Sequence, residues 1–238
     1  MMNMPKRNLL DLQLKPPKGV IFDFDGTVID SEAIHFELYR KAAKALGANL
    51  TLHDYETRMK GKTDKAIFEA IVSISVIKPK VDELIKQKQD AFLVMLEQGK
   101  IPPIKGVVEY IDYLAINNVL IGLATSATRQ EALTGLNILG IENRFCAIAT
   151  AESVKRGKPA PDVYLAASEA MGLSSSSCLV YEDAEAGVQG ATAAQMRVIA
   201  VGSKNNQALI QAGALDVIEN YIAHRLWFTS RSILYNTL

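Results

Sequence analysis

The sequence predicts an α/β protein, a doubly wound parallel sheet with an inserted all-helical unit, and three observations predict it. Five short apolar runs, at 20–22, 119–124, 145–149, 178–181 and 198–201, are continuous rather than alternating, as parallel strands covered on both faces are. Helical periodicities separate the later runs, which is what right-handed crossovers require. About 95 residues lie between the first run and the second, far beyond the dozen or so that one crossover needs, so something else folds there.

Taken in order, residues 1–17 carry scattered leucines and no continuous apolar stretch of the kind a secretory signal has. The first strand follows. Residues 33–47 then place Ile34, Leu38, Ala42 and Ala45 on one helical face and stop at Gly47. Thr63 can cap a helix bearing Ala66, Ile67, Ala70 and Ile71, and a third pattern of Val81, Leu84, Ile85, Phe92 and Met95 runs to Gly99. Pro102 and Pro103 mark the return to the sheet. Val107, Tyr110, Ile111 and Leu114 recur at helical steps before the second strand. Pro161 opens a helix with Val163, Tyr164 and Ala167 that stops at Gly172, and the serines at 174–177 form the loop into the fourth strand.

Composition narrows the function classes. The 238 residues balance 26 basic against 26 acidic side chains, which removes the electrostatic case for a nucleic-acid partner. Cys146 and Cys178, with only three histidines, cannot build a disulfide framework or a structural zinc site, and are expected as small core residues with free thiols. No apolar run approaches the ~20 residues that span a bilayer, so no membrane partner and a cytoplasmic location are expected.

The chemistry concentrates after the strands, where open α/β sheets place their ligands. DFDGT follows the first strand and puts Asp23 and Asp25 on the same side of an extended backbone. Thr125-Ser126 follows the second, RGKPAPD with Lys158 the third, and Glu182-Asp183 the fourth. Each alone has a plainer explanation: a polar strand end, a helix N-cap, a solvated loop lysine, a second helix cap. Together they bring four carboxylates to one cleft. At ~4 Å and an effective dielectric of ~20 each like-charged pair costs ~4 kcal/mol, so a cation belongs there. Oxygen-only ligands beside a phosphate site select magnesium. Lys158 and the Thr125 hydroxyl offer donors to a phosphoryl group, and the set describes phosphoryl transfer through an aspartyl-phosphate. GKT at 61–63 is not a P-loop, because Glu56 stands where that pattern needs glycine.

The series DFDGTVIDSE, LATSA, GKPAPD, VYEDAEAG resembles the haloacid dehalogenase (HAD) superfamily, in the branch of β-phosphoglucomutases and small sugar-phosphate phosphatases, over residues 18–215. The resemblance implies strand order 3-2-1-4-5, a Rossmann-like core domain of 18–32 and 100–222, a helical cap of 33–99, an N-terminal lead-in of 1–17 and a C-terminal extension of 223–238. In that order the two cysteines stand three strands apart, ~14 Å, too far to bridge. The resemblance makes Asp23 the nucleophile and Asp25 the acid/base. It assigns magnesium to Asp23, Asp183 and the Asp25 carbonyl, with Glu182 nearby or bound through water, and the phosphoryl group to Thr125, Ser126 and Lys158. The carboxyl group at Asp25 argues against dehalogenation, which needs no leaving-group acid.

Within the cap, Lys60, Gly61, Lys62 and Thr63 match a loop that faces substrate in the family, His35 a histidine of its first cap helix and Lys88 a cap lysine of the mutases; a solvated lysine loop, a plain cap histidine and an exposed helix lysine are the simpler readings. Known mutases carry an arginine where Asp64 stands here, and an acid there opposes a second phosphate; a one-residue shift would bring in Lys65 instead. Hydrolysis of a small phosphorylated substrate, such as a sugar phosphate, is therefore expected ahead of a β-phosphoglucomutase-like isomerisation. A non-enzymatic phosphorylated receiver would need neither cap nor second aspartate. The expected assembly is a monomer or weak homodimer. The apolar residues Leu226, Trp227, Phe228, Ile233, Leu234 and Tyr235 lie beyond the resemblance and could pack on the sheet, cover a partner chain or form a tail.

Overall fold

The computed structural model of the protein describes residues 16–203, 206–222 and 224. Strand β1 (Gly19–Phe22) is followed by four helices, α1 (Glu32–Ala45), α2 (Leu52–Arg58), α3 (Asp64–Ile74) and α4 (Val81–Glu97). The chain then alternates through α5 (Val107–Ile116), β2 (Leu120–Ala124), α6 (Arg129–Ile138), β3 (Ala147–Ala149), α7 (Asp162–Ala170) and β4 (Cys178–Glu182). It closes with α8 (Glu185–Ala193), β5 (Arg197–Val201), α9 (Gln207–Ala212) and β6 (Asp216–Ile218). All pairings in the sheet are parallel, in the order β3-β2-β1-β4-β5-β6. The expected order is present, extended by β6 at one edge.

Continuous apolarity in the strands has the expected cause. Val20, Phe22, Leu123, Leu179, Tyr181 and Ile199 join one buried cluster with Val107, Tyr110 and Ile111 of α5 and Leu136 of α6. Their neighbours Ile21, Ala124, Cys178, Val180 and Val198 join a second with Val163 and Tyr164 of α7 and Val188 of α8. Alternate residues thus serve opposite faces, and both faces are dry.

The helices α1 to α4 have a core of their own, built from Tyr39, Tyr55, Ile67, Phe68, Ile71 and Leu84. Thr63 caps α3, its hydroxyl accepting from Ala66 N at 3.4 Å, as its position predicts. Helix α2 had no sequence signal. Of its seven residues only Tyr55 is buried, so no apolar stripe marks it, and its start rests on Thr51, which accepts from Asp54 N at 3.1 Å.

One expectation about the core is corrected. Cys178 is buried on β4, but Cys146 is exposed, because it opens the edge strand, one residue before Ala147, where only β2 lies beside it. Both are free thiols. Tyr221 and His224 join the buried aromatic group under the sheet: Tyr221 stacks on Tyr110 with centroids 5.4 Å apart, and His224 Nε2 lies 2.5 Å from the Tyr181 hydroxyl, which meets Tyr110 at 2.7 Å. Most of the N-terminal lead-in, and Leu226, Trp227, Phe228, Ile233, Leu234 and Tyr235, lie outside the described residues. No helix among those described is long and apolar enough to cross a membrane.

Candidate active site

Register brings the polar motifs together. Phe22 pairs with Leu123 and Tyr181, so the residues just beyond β1, β2 and β4 lie side by side at the sheet's carboxyl edge. Asp23 N donates to Tyr181 O at 2.9 Å and Thr125 N to Ala149 O at 3.0 Å, so both residues prolong the ladder and have fixed backbones. Glycines make the turns possible. Gly26 has φ +69°, and a Cβ there would collide with the Asp183 carboxylate; a Cβ at Gly187 would collide with that of Glu182.

Around Asp23 the contacts are ionic. Lys158 Nζ, all but sealed from solvent, donates to Asp23 Oδ1 at 2.7 Å and to Glu182 Oε1 at 2.5 Å. Glu182 also accepts from the Tyr164 hydroxyl at 2.9 Å and from Ala184 N at 2.8 Å, so its carboxylate braces Lys158 from below. Burial would discharge Lys158, but Asp23 and Glu182 hold its pKa well above the ordinary value. Burial pushes Asp23 up to about 8 despite the lysine, with Glu182 adding repulsion. Burial likewise raises Asp183 well above the carboxylate range, against the pull of Lys60, whose Nζ stands 2.5 Å from Asp183 Oδ2.

Asp25 is treated differently. Its Oδ1 accepts from Ser31 Oγ at 2.6 Å and from His35 Nε2 at 2.7 Å. Burial favours the neutral form, yet His35 and Ser31 bring the pKa down to about 2. Ser31 sits at the N-cap position of α1, where its side chain makes no capping bond, which leaves its hydroxyl for Asp25. The His35 ring stacks on Phe92 of α4 at 4.2 Å.

Asp23, Glu182 and Asp183 offer oxygens that all lie within 4.8 Å of one another. This donor set suits a hard divalent ion. Burial opposes the charge of Asp23 and of Asp183 even with Lys158 and Lys60 beside them, and a cation among these oxygens would restore it, so the residues present fit magnesium.

The cleft is lined by Asp23, Asp25, Thr125, Ser126 and Lys158 from the motifs and by His35, Lys62 and Lys88 from the helical insertion. Thr125 is buried and its hydroxyl accepts from Ala127 N at 3.0 Å. Ser126 Oγ instead donates to Gly61 O at 3.1 Å, tying the loop after β2 to the insertion. Lys60 reaches Asp183, Thr63 spends its hydroxyl on α3, and Lys62 is exposed at the rim. Lys88 is buried, its Nζ 3.0 Å from Asp64 Oδ1. Asp64 also accepts from the Tyr39 hydroxyl and from Gln89 Nε2 at 3.1 Å, so it is anchored inside the insertion. Sequence reasoning assigned no role to Ser31, Tyr164 or Glu131 in this site. Ser31 lies within the quoted DFDGTVIDSE motif, and Glu131 left the T-x-x-E spacing of a capping box, which α6 does form with Thr128.

Residues 20–201 match the family model described as haloacid dehalogenase-like hydrolase. A phosphorylated carbohydrates phosphatase of Thermotoga maritima is 30% identical over 209 residues, covering 85% of this chain and 94% of its own. The fructose-1-phosphate phosphatase YqaB of Escherichia coli is 31% identical over 184 residues, 77% of this chain and 95% of the relative. A solved β-phosphoglucomutase of Clostridium difficile superposes with a TM-score of 0.76 at 23% identity, over 88% of this chain and 96% of that one, which is a likeness of fold.

Proposed function

Because the chain belongs to the haloacid dehalogenase-like hydrolase family, we propose that it is a magnesium-dependent phosphatase that hydrolyses a small phosphorylated carbohydrate through an aspartyl-phosphate on Asp23. The observation that carries this reading is the pairing, two residues apart, of a carboxylate held by Lys158 with a second one held by Ser31 and His35, both facing one cleft. Bound magnesium would neutralise the carboxylates and the phosphoryl oxygens and so let two anions approach. Asp23, Asp183 and Glu182 would hold it.

The chain's own groups do the rest. Asp23 attacks phosphorus, with Lys158 and the Thr125 hydroxyl on the phosphoryl oxygens. Asp25 delivers a proton to the departing oxygen and later takes one from the attacking water. With a pKa of about 2 it is a carboxylate in the empty cleft, which suits the second half; an arriving phosphoryl anion raises its proton affinity, as the first half needs. His35 and Ser31 fix its orientation. The four-helix insertion roofs the cleft and limits water.

The test is a phosphate-release screen over sugar monophosphates with magnesium, run beside a coupled assay for glucose 6-phosphate formed from β-glucose 1-phosphate. Free phosphate without isomer is expected. Isomer without free phosphate would replace hydrolysis by the mutase reaction, which Asp64 disfavours because it faces the cleft as an anchored anion.

A further inference from the structure

The cleft contains a polar atom that the proposed chemistry does not use. Glu131 is 1% exposed. Its Oε2 accepts from Thr128 N and from the Thr128 hydroxyl, both at 2.8 Å, and completes the capping box of α6. Its Oε1 has no hydrogen-bond partner, although Glu131 lines the cleft. Buried carboxylate oxygens are rarely left bare, because they lose water and gain nothing in return. The nearest cation is Lys88 Nζ, 3.9 Å away and already paired with Asp64 at 3.0 Å. That gap is too long for a direct hydrogen bond. It fits one intervening oxygen, about 2.8 Å from each, bent at roughly a right angle.

We infer that Glu131 Oε1 and Lys88 Nζ form a slot for one hydroxyl of the leaving group, which selects phosphate monoesters of neutral, polyhydroxylated compounds over those carrying a second phosphate. The hydroxyl oxygen accepts from the ammonium and its hydrogen goes to the carboxylate, so both buried groups are satisfied at once. A second phosphate is mostly dianionic near neutral pH and in that form has no hydrogen to give Glu131, and it would meet the carboxylates of Glu131, Asp64 and Glu32 on the same walls. No arginine is among the described residues lining the cleft, and Lys88 is already paired with Asp64. Glu131 is thus a specificity-determining residue contributed by the core, facing Lys88 of the insertion. This inference rests on the phosphatase reading.

The experiment compares kcat/KM, with magnesium, for a panel of sugar and polyol monophosphates, for fructose 1,6-bisphosphate and for p-nitrophenyl phosphate, whose leaving group has no alcoholic hydroxyl. The wild type is expected to prefer its best monophosphate at least ~10-fold over both others. Glu131→Gln presents an amide where the acceptor stood while keeping a residue suited to the capping box. It should reduce the monophosphate to p-nitrophenyl phosphate ratio about tenfold, mainly through KM, and Lys88→Gln should reduce the same ratio. A purely structural role would lower both substrates together and hold the ratio, which overturns the inference. Turnover of p-nitrophenyl phosphate with no preference for hydroxylated esters, or a preference for the bisphosphate, also overturns it but leaves the phosphatase reading standing. A wild type that releases phosphate from nothing on the panel removes both. If Glu131→Gln fails to melt cooperatively, the Lys88→Gln ratio decides.

Discussion

Asp23 shares its lysine with Glu182 and its cleft with Asp25, so removing its charge isolates the nucleophilic role from the packing one. Asp23→Asn keeps the shape and a hydrogen-bond acceptor for Lys158. We expect phosphate release to fall at least ~1000-fold with the melting temperature nearly unchanged; substantial turnover would remove Asp23 from its role. Gly26 permits a different test. An alanine there suffers at φ +69°, at a cost of about 1–2 kcal/mol, and its methyl displaces the Asp183 carboxylate. Gly26→Ala should therefore weaken magnesium binding at least ~10-fold by calorimetry, and undiminished uptake would separate Asp183 from the metal. The motif residues were legible because strand ends carry them in fixed order. The roles of Ser31 and Tyr164 were not, because they depend on which carboxylate each hydroxyl meets in the folded chain, Asp25 for Ser31 and Glu182 for Tyr164, and no local spacing encodes that choice.

Among the elements, α4 joins the two halves of the molecule. Phe92 is fully buried, belongs to the cluster shared with the sheet and carries the His35 ring. Phe92→Ala should cost about 3–5 kcal/mol in urea unfolding, and phosphate release should fall as His35 loses its support; a loss under about 1 kcal/mol would mean the helix is held elsewhere. Legibility followed apolar area. Strands β1, β2, β4 and β5 and helices α1, α3, α4, α5 and α7 bury enough side chains to print a period, and β3, though three residues long, lies within the apolar run 145–149; α2 buries one tyrosine, and β6 is three residues opened by the polar Asp216. Cys146 was misplaced for a related reason: an apolar residue at the start of an edge strand looks the same in sequence whether its side chain meets the core or solvent.

Global stability offers one titration that can be separated from the cleft. Burial lowers the pKa of His224 from 6.5 to about 4. The unfolded chain then binds the proton first, so the contribution of neutral His224 is complete above pH 6.5 and is lost as pH falls from there to about 4, a change of up to ~3 kcal/mol. Raised carboxylates such as Asp23 act in the opposite sense, gaining stability as pH falls below about 8, so the total alone is uninformative. The stability difference between wild type and His224→Gln removes them. It should grow in favour of wild type from pH 4 to pH 7 in urea titrations, and a flat difference would show that the imidazole is not shielded in solution.

The sheet's two borders are its shortest strands, β3 and β6, each three residues long, while the longer ladders lie between them. A stray extended segment from another molecule would find at most three residues of unpaired backbone to copy, too little for a lasting intermolecular ladder. A formal net charge of zero supplies little colloidal repulsion, so in a crowded solution the brevity of these margins is a principal safeguard against fibrous association.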